Sequence, residues 1–266
     1  MTGSFGRIAL RLATILGLVF LYVPIAIIAL YAFNEQRTQS WPIEHFTINW
    51  FGVALGNRDL VDAFVLSVQV GLAATLVAIV LGSLAGLAIH RFSFFGRDAV
   101  SFLFVLPIAL PGIVTGMALN ATINTSGIGF TAFTIAVGHA TFCIVVVFNN
   151  VVARLRRTSR SIEEASMDLG ADTWQTFRYV TFPVIRTALL AGGLLAFALS
   201  FDEVIVTNFT AGTRETLPIW ILSQLSRAQA RPIVNVVALF MIVVSIVPVY
   251  IAQRMNSDTS GLSPGQ

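Results

Sequence analysis

The polar segment RLRRTSRSIEEASMDLGADTWQTFRYVTFPVIR, residues Arg154–Arg186, separates two long apolar stretches of the chain. Connections between neighbouring helices in compact bundles need only about 2–8 residues, so this segment is much longer than a connection requires. It also carries six of the 16 arginines of the chain, which has no lysine. A segment of this length and charge between apolar stretches indicates a structure with a task of its own.

A short helix is predicted near the middle of this segment. Ser161 followed by Glu164 matches a capping box, in which each side chain satisfies a backbone N–H of the first turn. The pattern predicts a helix over Ile162–Leu169 that ends at Gly170, where a left-handed residue would follow the last turn. Small and apolar residues recur at helical spacing on one face of this helix: Ile162, Ala165, Ser166 and Leu169.

A second helix is predicted from another pair of capping residues. Asp172 and Gln175 have the spacing of a capping box, and Pro183 is expected to end the helix because it has no backbone N–H. Isolated helices this short are not stable in water, so both need a surface to pack against. That surface is either a soluble partner protein or the chain's own bundle of helices, and the pattern alone leaves both possibilities open.

The rest of the chain is apolar enough to make lipid its solvent. Hydrophobic residues make up 56% of the 266 positions and charged residues only 11%, against about 25% charged in soluble domains. A helix needs about 20 apolar residues to cross a bilayer. Six segments meet that condition, which predicts an all-α integral membrane protein with one transmembrane domain over residues 1–266. The predicted spans are Leu12–Phe33, Ala63–Ile89, Ala99–Leu119, Thr131–Val152, Ala188–Phe209 and Ile233–Gln253.

Proline and arginine positions add detail to this topology. Pro107, Pro111 and Gly112 predict a bend in the third span, because proline removes a helix hydrogen bond. With the N-terminus in the cytoplasm, 11 of the 16 arginines lie beside the cytoplasmic ends of the spans, as the positive-inside rule requires. Both termini and the segment Arg154–Arg186 are therefore expected in the cytoplasm.

The polar segment resembles the signature of a known transporter family. Residues 164–166, EAS, are followed after three residues by Gly170 and after nine more by residues 180–183, VTFP. This spacing is that of the EAA motif of ABC importer permeases. The motif has Ala, Ile and Leu at three positions where this chain has the small or apolar residues Ser166, Val180 and Phe182.

This resemblance implies a role for the predicted first helix. In such permeases the short helix of the motif is the coupling helix, which docks in a groove on an ATPase subunit. ATP and Mg²⁺ would then be bound by the partner ATPase, and this chain would have neither a cofactor nor an enzyme activity of its own. The implied ATPase-coupling residues are Glu163, Glu164, Ala165, Ser166, Asp168, Leu169, Gly170 and Pro183.

A second resemblance covers nearly the whole chain. Residues 195–207 (LAFALSFDEVIVT), 21–24 (LYVP) and 106–112 (LPIALPG) resemble spermidine/putrescine ABC permeases. The likeness implies the type-I importer fold in a bacterial inner membrane. Its implied partners are a second related permease, a dimer of ATPase subunits and an extracytoplasmic solute-binding protein. The implied solute is a polyamine such as spermidine or putrescine, with another amine, an opine, an organic acid or ferric ion as the alternative.

An acidic pair, Asp202 and Glu203, lies within the predicted fifth span. A carboxylate at the bilayer centre costs roughly 2.5–3.5 kcal/mol on insertion scales, so such residues face a cavity or a partner. Adjacent residues of a continuous helix point about 100° apart, so the two side chains cannot share one direction. We expect one member of the pair to line the solute pathway while the other caps a helix or pairs at the subunit interface. Asp202 is favoured for the pathway over Glu203 because its side chain is the shorter. Hydrogen bonding to neighbouring helices is the alternative.

Other functions lack the residues that they need. Without lysine the chain cannot form the Gly-x-x-x-x-Gly-Lys-Ser/Thr phosphate-binding loop, so it is not expected to hydrolyse ATP. Zinc-protease and serine-hydrolase motifs of an intramembrane enzyme are missing, and neither a metal site nor nucleic-acid binding is expected. An ion-coupled secondary transporter is a further alternative, although it leaves the EAA-like segment without a role. The polar residues Asn120 and His139 are expected to form hydrogen bonds between helices.

Overall fold

The computed structural model describes residues 4–257, and these residues form α-helices joined by connections of varying length. This confirms the predicted all-α class. The helices are α1 (Ser4–Tyr31), α2 (Asn49–Gly56), α3 (Arg58–Arg91), α4 (Arg97–Ala109), α5 (Gly112–Ser126), α6 (Ala132–Leu155), α7 (Ser161–Asp168), α8 (Thr173–Thr176), α9 (Phe182–Phe201), α10 (Ile205–Thr210), α11 (Leu217–Gln224) and α12 (Arg231–Ser257). A π-helical turn at Phe177–Thr181 joins α8 to α9, and a 3₁₀ turn at Ala228–Ala230 precedes α12.

Four helical segments of the described chain are long and apolar enough to cross a membrane: Gly6–Tyr31, Arg58–Arg91, Ala132–Leu155 and Thr173–Phe201. The bent pair formed by α4 and α5 gives a fifth span if the two helices count as one. Arg231–Ile246, at the start of α12, is a shorter apolar helix. The chain is therefore a multi-pass membrane protein, whereas the predicted count of six spans is not confirmed.

The predicted bend in the third span is confirmed, and it is sharp. α4 ends at Ala109, α5 begins at Gly112, and the two helices are bent by 100°. Leu110 has extended backbone angles, and Pro111 follows it without a backbone N–H. Pro107 lies within α4 and does not interrupt it. The bend is thus set by the two residues between the helices.

The described residues group into two compact units. One contains the residues up to Val61 together with Trp220–Val244, and the other contains Asp62–Ile219 together with the residues from Ser245 onward. In the first unit, the most apolar window of α1 has no buried residue. A helix that is apolar all round needs lipid or a partner protein around it. A single transmembrane domain over residues 1–266 stays a prediction.

The core of the second unit lies where α3, α6 and α9 meet. It includes Ala74 and Ala78 of α3, Val147 and Val151 of α6, and Ile185 and Ala196 of α9. The backbones approach closely, because a Cβ atom added to Gly82 would lie only 2.8 Å from the carbonyl oxygen of Ile144. Small residues permit such contacts between membrane helices. This packing holds α6 and α9 together, and both candidate sites are attached to these two helices.

Candidate functional site

The first helix of the EAA segment (Arg154–Arg186), α7, is not capped at its N-terminus as predicted. The capping box between Ser161 and Glu164 is not formed. Arg160 precedes the helix with helical backbone angles, whereas a capping residue needs an extended backbone. Ser161 N–H instead donates to Ser159 Oγ at 3.3 Å, and Glu164 lies 3.6 Å from Arg160 Nε. The capping-box prediction is therefore wrong, and an i, i+4 ion pair takes its place.

The C-terminus of α7 has the predicted glycine-dependent geometry. Gly170 has a φ of +91°, a left-handed conformation that residues with side chains rarely adopt. Its N–H donates to Met167 O at 2.9 Å, and Ala171 N–H donates to Ser166 O at 3.2 Å. This Schellman arrangement satisfies two of the carbonyl groups that a helix end leaves free.

The second helix of the EAA segment starts as predicted but does not end at proline. Asp172 Oδ1 accepts the N–H of Gln175 at 2.8 Å, and Gln175 Oε1 accepts the N–H of Asp172 at 2.9 Å, which confirms this capping box. α8 continues through the π-helical turn Phe177–Thr181 into α9. Pro183 lies in the first turn of α9, where the wider π turn accommodates its ring and its missing N–H. The prediction that Pro183 ends the helix is wrong.

α7 has one face toward its own bundle and another toward the surroundings. Ser166 points to α8, where its Oγ lies 3.3 Å from Oγ1 of the fully buried Thr176. The remaining members of the predicted face are exposed: Ile162, Ala165 and Leu169. Leu169, which follows the last turn, is 90% exposed. An exposed apolar strip of this kind is typical of a surface that binds another protein.

The two consecutive glutamates of α7 point in different directions. Glu163 accepts a hydrogen bond from Thr181 Oγ1 at 2.6 Å and forms an ion pair with Arg91 at 3.7 Å. Its side chain is 19% exposed, against 59% for Glu164. The resemblance to the EAA motif implied ATPase coupling for both residues, whereas the structure brings Glu163 into contact with the chain's own membrane helices.

The acidic pair does not lie within a continuous helix. α9 ends before it and α10 begins after it, with Asp202 and Glu203 in the break. Glu203 Oε1 accepts the N–H of Val206 at 2.9 Å and thereby satisfies a free donor in the first turn of α10. A side-chain oxygen that binds a nearby backbone N–H offers the chain an alternative to the continuing helix. The prediction of an unbroken span over Ala188–Phe209 is therefore wrong.

The buried His139 of α6 holds both sides of this break. Its Nδ1 lies 2.7 Å from Ser200 Oγ in α9, and its Nε2 lies 2.8 Å from Thr207 Oγ1 in α10. Thr207 Oγ1 donates its proton to Glu203 O at 2.7 Å, so it accepts from the imidazole Nε2–H, and Nδ1 accepts from Ser200. Interhelical hydrogen bonding by His139 is confirmed. Hydropathy and residue spacing did not indicate that these bonds cross a helix break.

The far end of α10 is held by side chains from two other helices. Asn120 Nδ2 of α5 donates to Phe209 O at 2.7 Å, which confirms the interhelical bond predicted for Asn120. Thr134 Oγ1 of α6 donates to Thr210 O at 2.9 Å. These bonds satisfy carbonyl groups at the end of a short helix. A Cβ atom added to Gly116 of α5 would lie 2.5 Å from the ring of Phe209, so α10 is also packed tightly against α5.

Asp202 is the member of the acidic pair that remains available to a ligand. Its side chain is exposed, and within residues 4–257 its carboxylate has no hydrogen-bond or ion-pair partner. It follows the last turn of the 20-residue helix α9, where the backbone carbonyl groups form the negative end of the helix dipole. Both features favour a cation beside Asp202. Within the described residues, no group of three or more His, Cys, Asp and Glu side chains is placed to hold a metal ion.

His139→Ala should destabilise the packing around the helix break. The substitution removes two hydrogen bonds and leaves the hydroxyl groups of Ser200 and Thr207 buried, a loss of about 2–4 kcal/mol. We expect the thermal unfolding midpoint of the detergent-solubilised protein to fall by several degrees. Thr141→Val is the matched control, because the Thr141 hydroxyl donates to Gly138 O within the same helix. Equal midpoints for the two variants would contradict a bridging role for His139.

Comparison with known proteins places the sequence among membrane transport components. Residues 78–259 match the family model described as binding-protein-dependent transport system inner membrane component. The chain is 34% identical over 233 residues to the putrescine transport system permease protein PotI of Escherichia coli, covering 84% of this chain and 82% of that protein. It is 33% identical over 239 residues to the spermidine/putrescine transport system permease protein PotC of Haemophilus influenzae, covering 89% of this chain and 92% of that protein.

Two solved structures share the fold. A bacterial ABC transporter that imports the acidic polysaccharide alginate matches with a TM-score of 0.71 at 16% identity, covering 96% of this chain and 98% of that chain. A bacterial alginate ABC transporter in complex with an alginate pentasaccharide-bound periplasmic protein matches with a TM-score of 0.69 at 17% identity, covering 98% and 96%. At these identities the likeness concerns the fold.

Proposed function

The chain belongs to the family of binding-protein-dependent transport system inner membrane components, and we propose that it is one of two permease subunits of an ATP-driven polyamine importer. The solute would be putrescine or spermidine, delivered by an extracytoplasmic solute-binding protein. A second, related permease would form the other wall of the pathway, and a dimer of ATPase subunits would supply the energy.

The exposed surface of α7 supports its assignment as the coupling helix. Ile162 and Leu169 present apolar surface to the surroundings, and Glu164 is exposed on the same short helix. Such a helix gains stability from a partner surface, and a groove on an ATPase subunit would provide it. ATP and Mg²⁺ would bind to that ATPase, because a chain without lysine cannot form the phosphate-binding loop.

The exposed carboxylate of Asp202 is the observation that supports a cationic solute. It lies in the break between α9 and α10, beside the negative end of a helix dipole. Polyamines carry several ammonium groups, and a carboxylate in the pathway would offset part of the cost of removing their water. The relatives PotI and PotC are named for putrescine and for spermidine/putrescine. Binding at Asp202 would be weak, because the solute has to leave again.

The proposed mechanism is alternating access. Closure of the ATPase dimer around ATP would move α7, and the two permeases would rock against each other so that the solute passes between them. Both termini and the EAA segment would lie in the cytoplasm, which the excess of arginine beside those ends supports. This chain would supply one wall of the pathway and one coupling helix.

The purified chain alone should neither hydrolyse ATP nor take up polyamine. We expect phosphate release at the background level of empty proteoliposomes, whereas the complete importer hydrolyses ATP and accumulates radiolabelled putrescine or spermidine. Hydrolysis by the chain purified to homogeneity would overturn the assignment of ATP to the partner. Uptake of ferric ion, an opine or an organic acid by the complete importer, without uptake of either polyamine, would contradict the proposed solute.

A further inference from the structure

We propose that Glu163 is a positioning residue that ties the coupling helix α7 to the membrane helices α3 and α9 of its own subunit, so that a movement of α7 reaches both. The inference rests on the proposed function, because it assumes that α7 docks on an ATPase. Under this proposal the two glutamates differ in role as well as in orientation: Glu163 faces the chain's own membrane helices, whereas Glu164 is exposed.

The carboxylate of Glu163 contacts two membrane segments at once. Oε1 accepts the hydroxyl proton of Thr181 at 2.6 Å, and Thr181 is the buried last residue of the π turn that leads into α9. Oε2 lies 3.7 Å from Nη2 of Arg91, the last residue of α3. Hydrogen bonds to a charged group are roughly twice as strong as those between neutral groups, so this part-buried bond helps to hold α7 at a defined place. Because α3 and α9 pack together with α6, both contacts lead into the same core.

A second contact prevents α7 from turning about its own axis. Ser166 lies three residues after Glu163 on the same helix face, and its Oγ lies 3.3 Å from Oγ1 of Thr176. Two attachment points about one helical turn apart fix the rotation of a short helix as well as its position. Side chains at the other positions of α7 are exposed, so the attached face and the free face are distinct.

The attachment point on α9 is suited to passing on a displacement. A π turn is a local widening of the helix, and such turns occur often at functional sites. Pro183 follows it and removes one hydrogen bond from the first turn of α9. From there α9 runs for 20 residues, about 30 Å, to the break that holds Asp202. A shift of α7 would therefore move a rigid helix whose far end carries the proposed solute contact.

The test uses the complete importer in proteoliposomes and measures solute uptake and ATP hydrolysis on the same preparation. For Glu163→Ala we expect uptake per ATP hydrolysed to fall about fivefold or more, with hydrolysis and complex yield within about twofold of the wild-type importer. Glu163→Gln should give an intermediate value, because its amide oxygen still accepts the Thr181 proton although the charge is lost. Thr181→Val should resemble Glu163→Ala. Thr187→Val is the control for loss of a hydroxyl elsewhere on α9.

Glu164→Ala distinguishes transmission from docking. A variant that docks poorly should lose hydrolysis and uptake together, and we expect this of Glu164→Ala. If Glu163→Ala also lowers both activities in parallel, or lowers complex yield in the same proportion, Glu163 has no separate positioning role. An unchanged ratio of uptake to hydrolysis in Glu163→Ala would overturn the proposal as well.

A second measurement does not depend on the identity of the solute. Cys143 is the only cysteine of the chain and is buried, so Leu199→Cys adds one thiol at an exposed position of α9. A non-hydrolysable ATP analogue should change the maleimide labelling of this thiol about fivefold when Glu163 is present and leave it unchanged in Glu163→Ala. The same change in both would reject the positioning role. An importer that takes up no polyamine but shows the Glu163-dependent change would reject the polyamine proposal alone.

Discussion

Gly170→Val should reduce solute uptake by the assembled importer about tenfold or more, while the chain still inserts into the membrane. The φ of +91° at Gly170 costs an L-residue about 1–2 kcal/mol, and a β-branched side chain is the least compatible with it. No atom lies within 4 Å of a Cβ atom added there, so the cost is conformational and not steric. The end of α7 would have to unwind, which would displace the exposed Leu169 from the proposed docking surface. Uptake normalised to the amount of inserted chain measures this effect.

Gly127→Val is the matched control for backbone strain. Gly127 has a φ of +69°, ends α5, and likewise has no atom within 4 Å of an added Cβ. The strain is of the same kind but lies far along the chain from the EAA segment, so uptake should stay within about twofold of wild type. Equal losses in the two variants would attribute the effect to general destabilisation. Wild-type uptake by Gly170→Val would show that the conformation at the end of α7 is not needed for coupling.

Asp202→Asn should lower polyamine uptake about tenfold or more with little loss of assembled complex. Two unit charges 4 Å apart interact by about 4 kcal/mol at the effective dielectric constant of a protein surface, and a third of that energy corresponds to a factor of ten. Asparagine keeps the shape of the side chain and removes its charge. Because the carboxylate accepts no hydrogen bond within the described residues, its neutralisation should leave the fold intact. Initial rates of putrescine and spermidine uptake, with complex yield determined in parallel, measure the effect.

Glu203→Gln is the matched control, because Glu203 lies next to Asp202 in the same break between α9 and α10. The amide oxygen can still accept the N–H of Val206, so α10 keeps its first-turn hydrogen bond and only the charge is lost. We expect a smaller effect on uptake than for Asp202→Asn. Normal polyamine uptake by both variants would show that Asp202 and Glu203 have structural roles only. The main argument from this chain's own residues for a cationic solute would then be lost.

Several features of the protein follow from interactions between residues close together in sequence, and these were predictable. Hydrophobic segments of membrane length become helices because the backbone has no other partners in lipid. The left-handed end of α7 needs Gly170, and the capping box of α8 needs Asp172 and Gln175 three residues apart. The bend between α4 and α5 follows from Pro111, which has no backbone N–H. The spacing of the EAA motif was sufficient to predict the family.

Other features depend on residues distant in sequence, and only the tertiary structure decided them. The break at the acidic pair is held by His139, whose partners Ser200 and Thr207 lie 61 and 68 residues away. Glu163 and Glu164 are adjacent residues of the same type, and only the contacts of Glu163 with Thr181 and Arg91 distinguish it from the exposed Glu164. A helix breaks or rotates when a neighbouring element offers its polar groups better partners than lipid or water. Hydropathy and spacing describe each segment alone, so they determined which segments are helical, whereas packing between segments decided where the fifth span breaks and which carboxylates face outward.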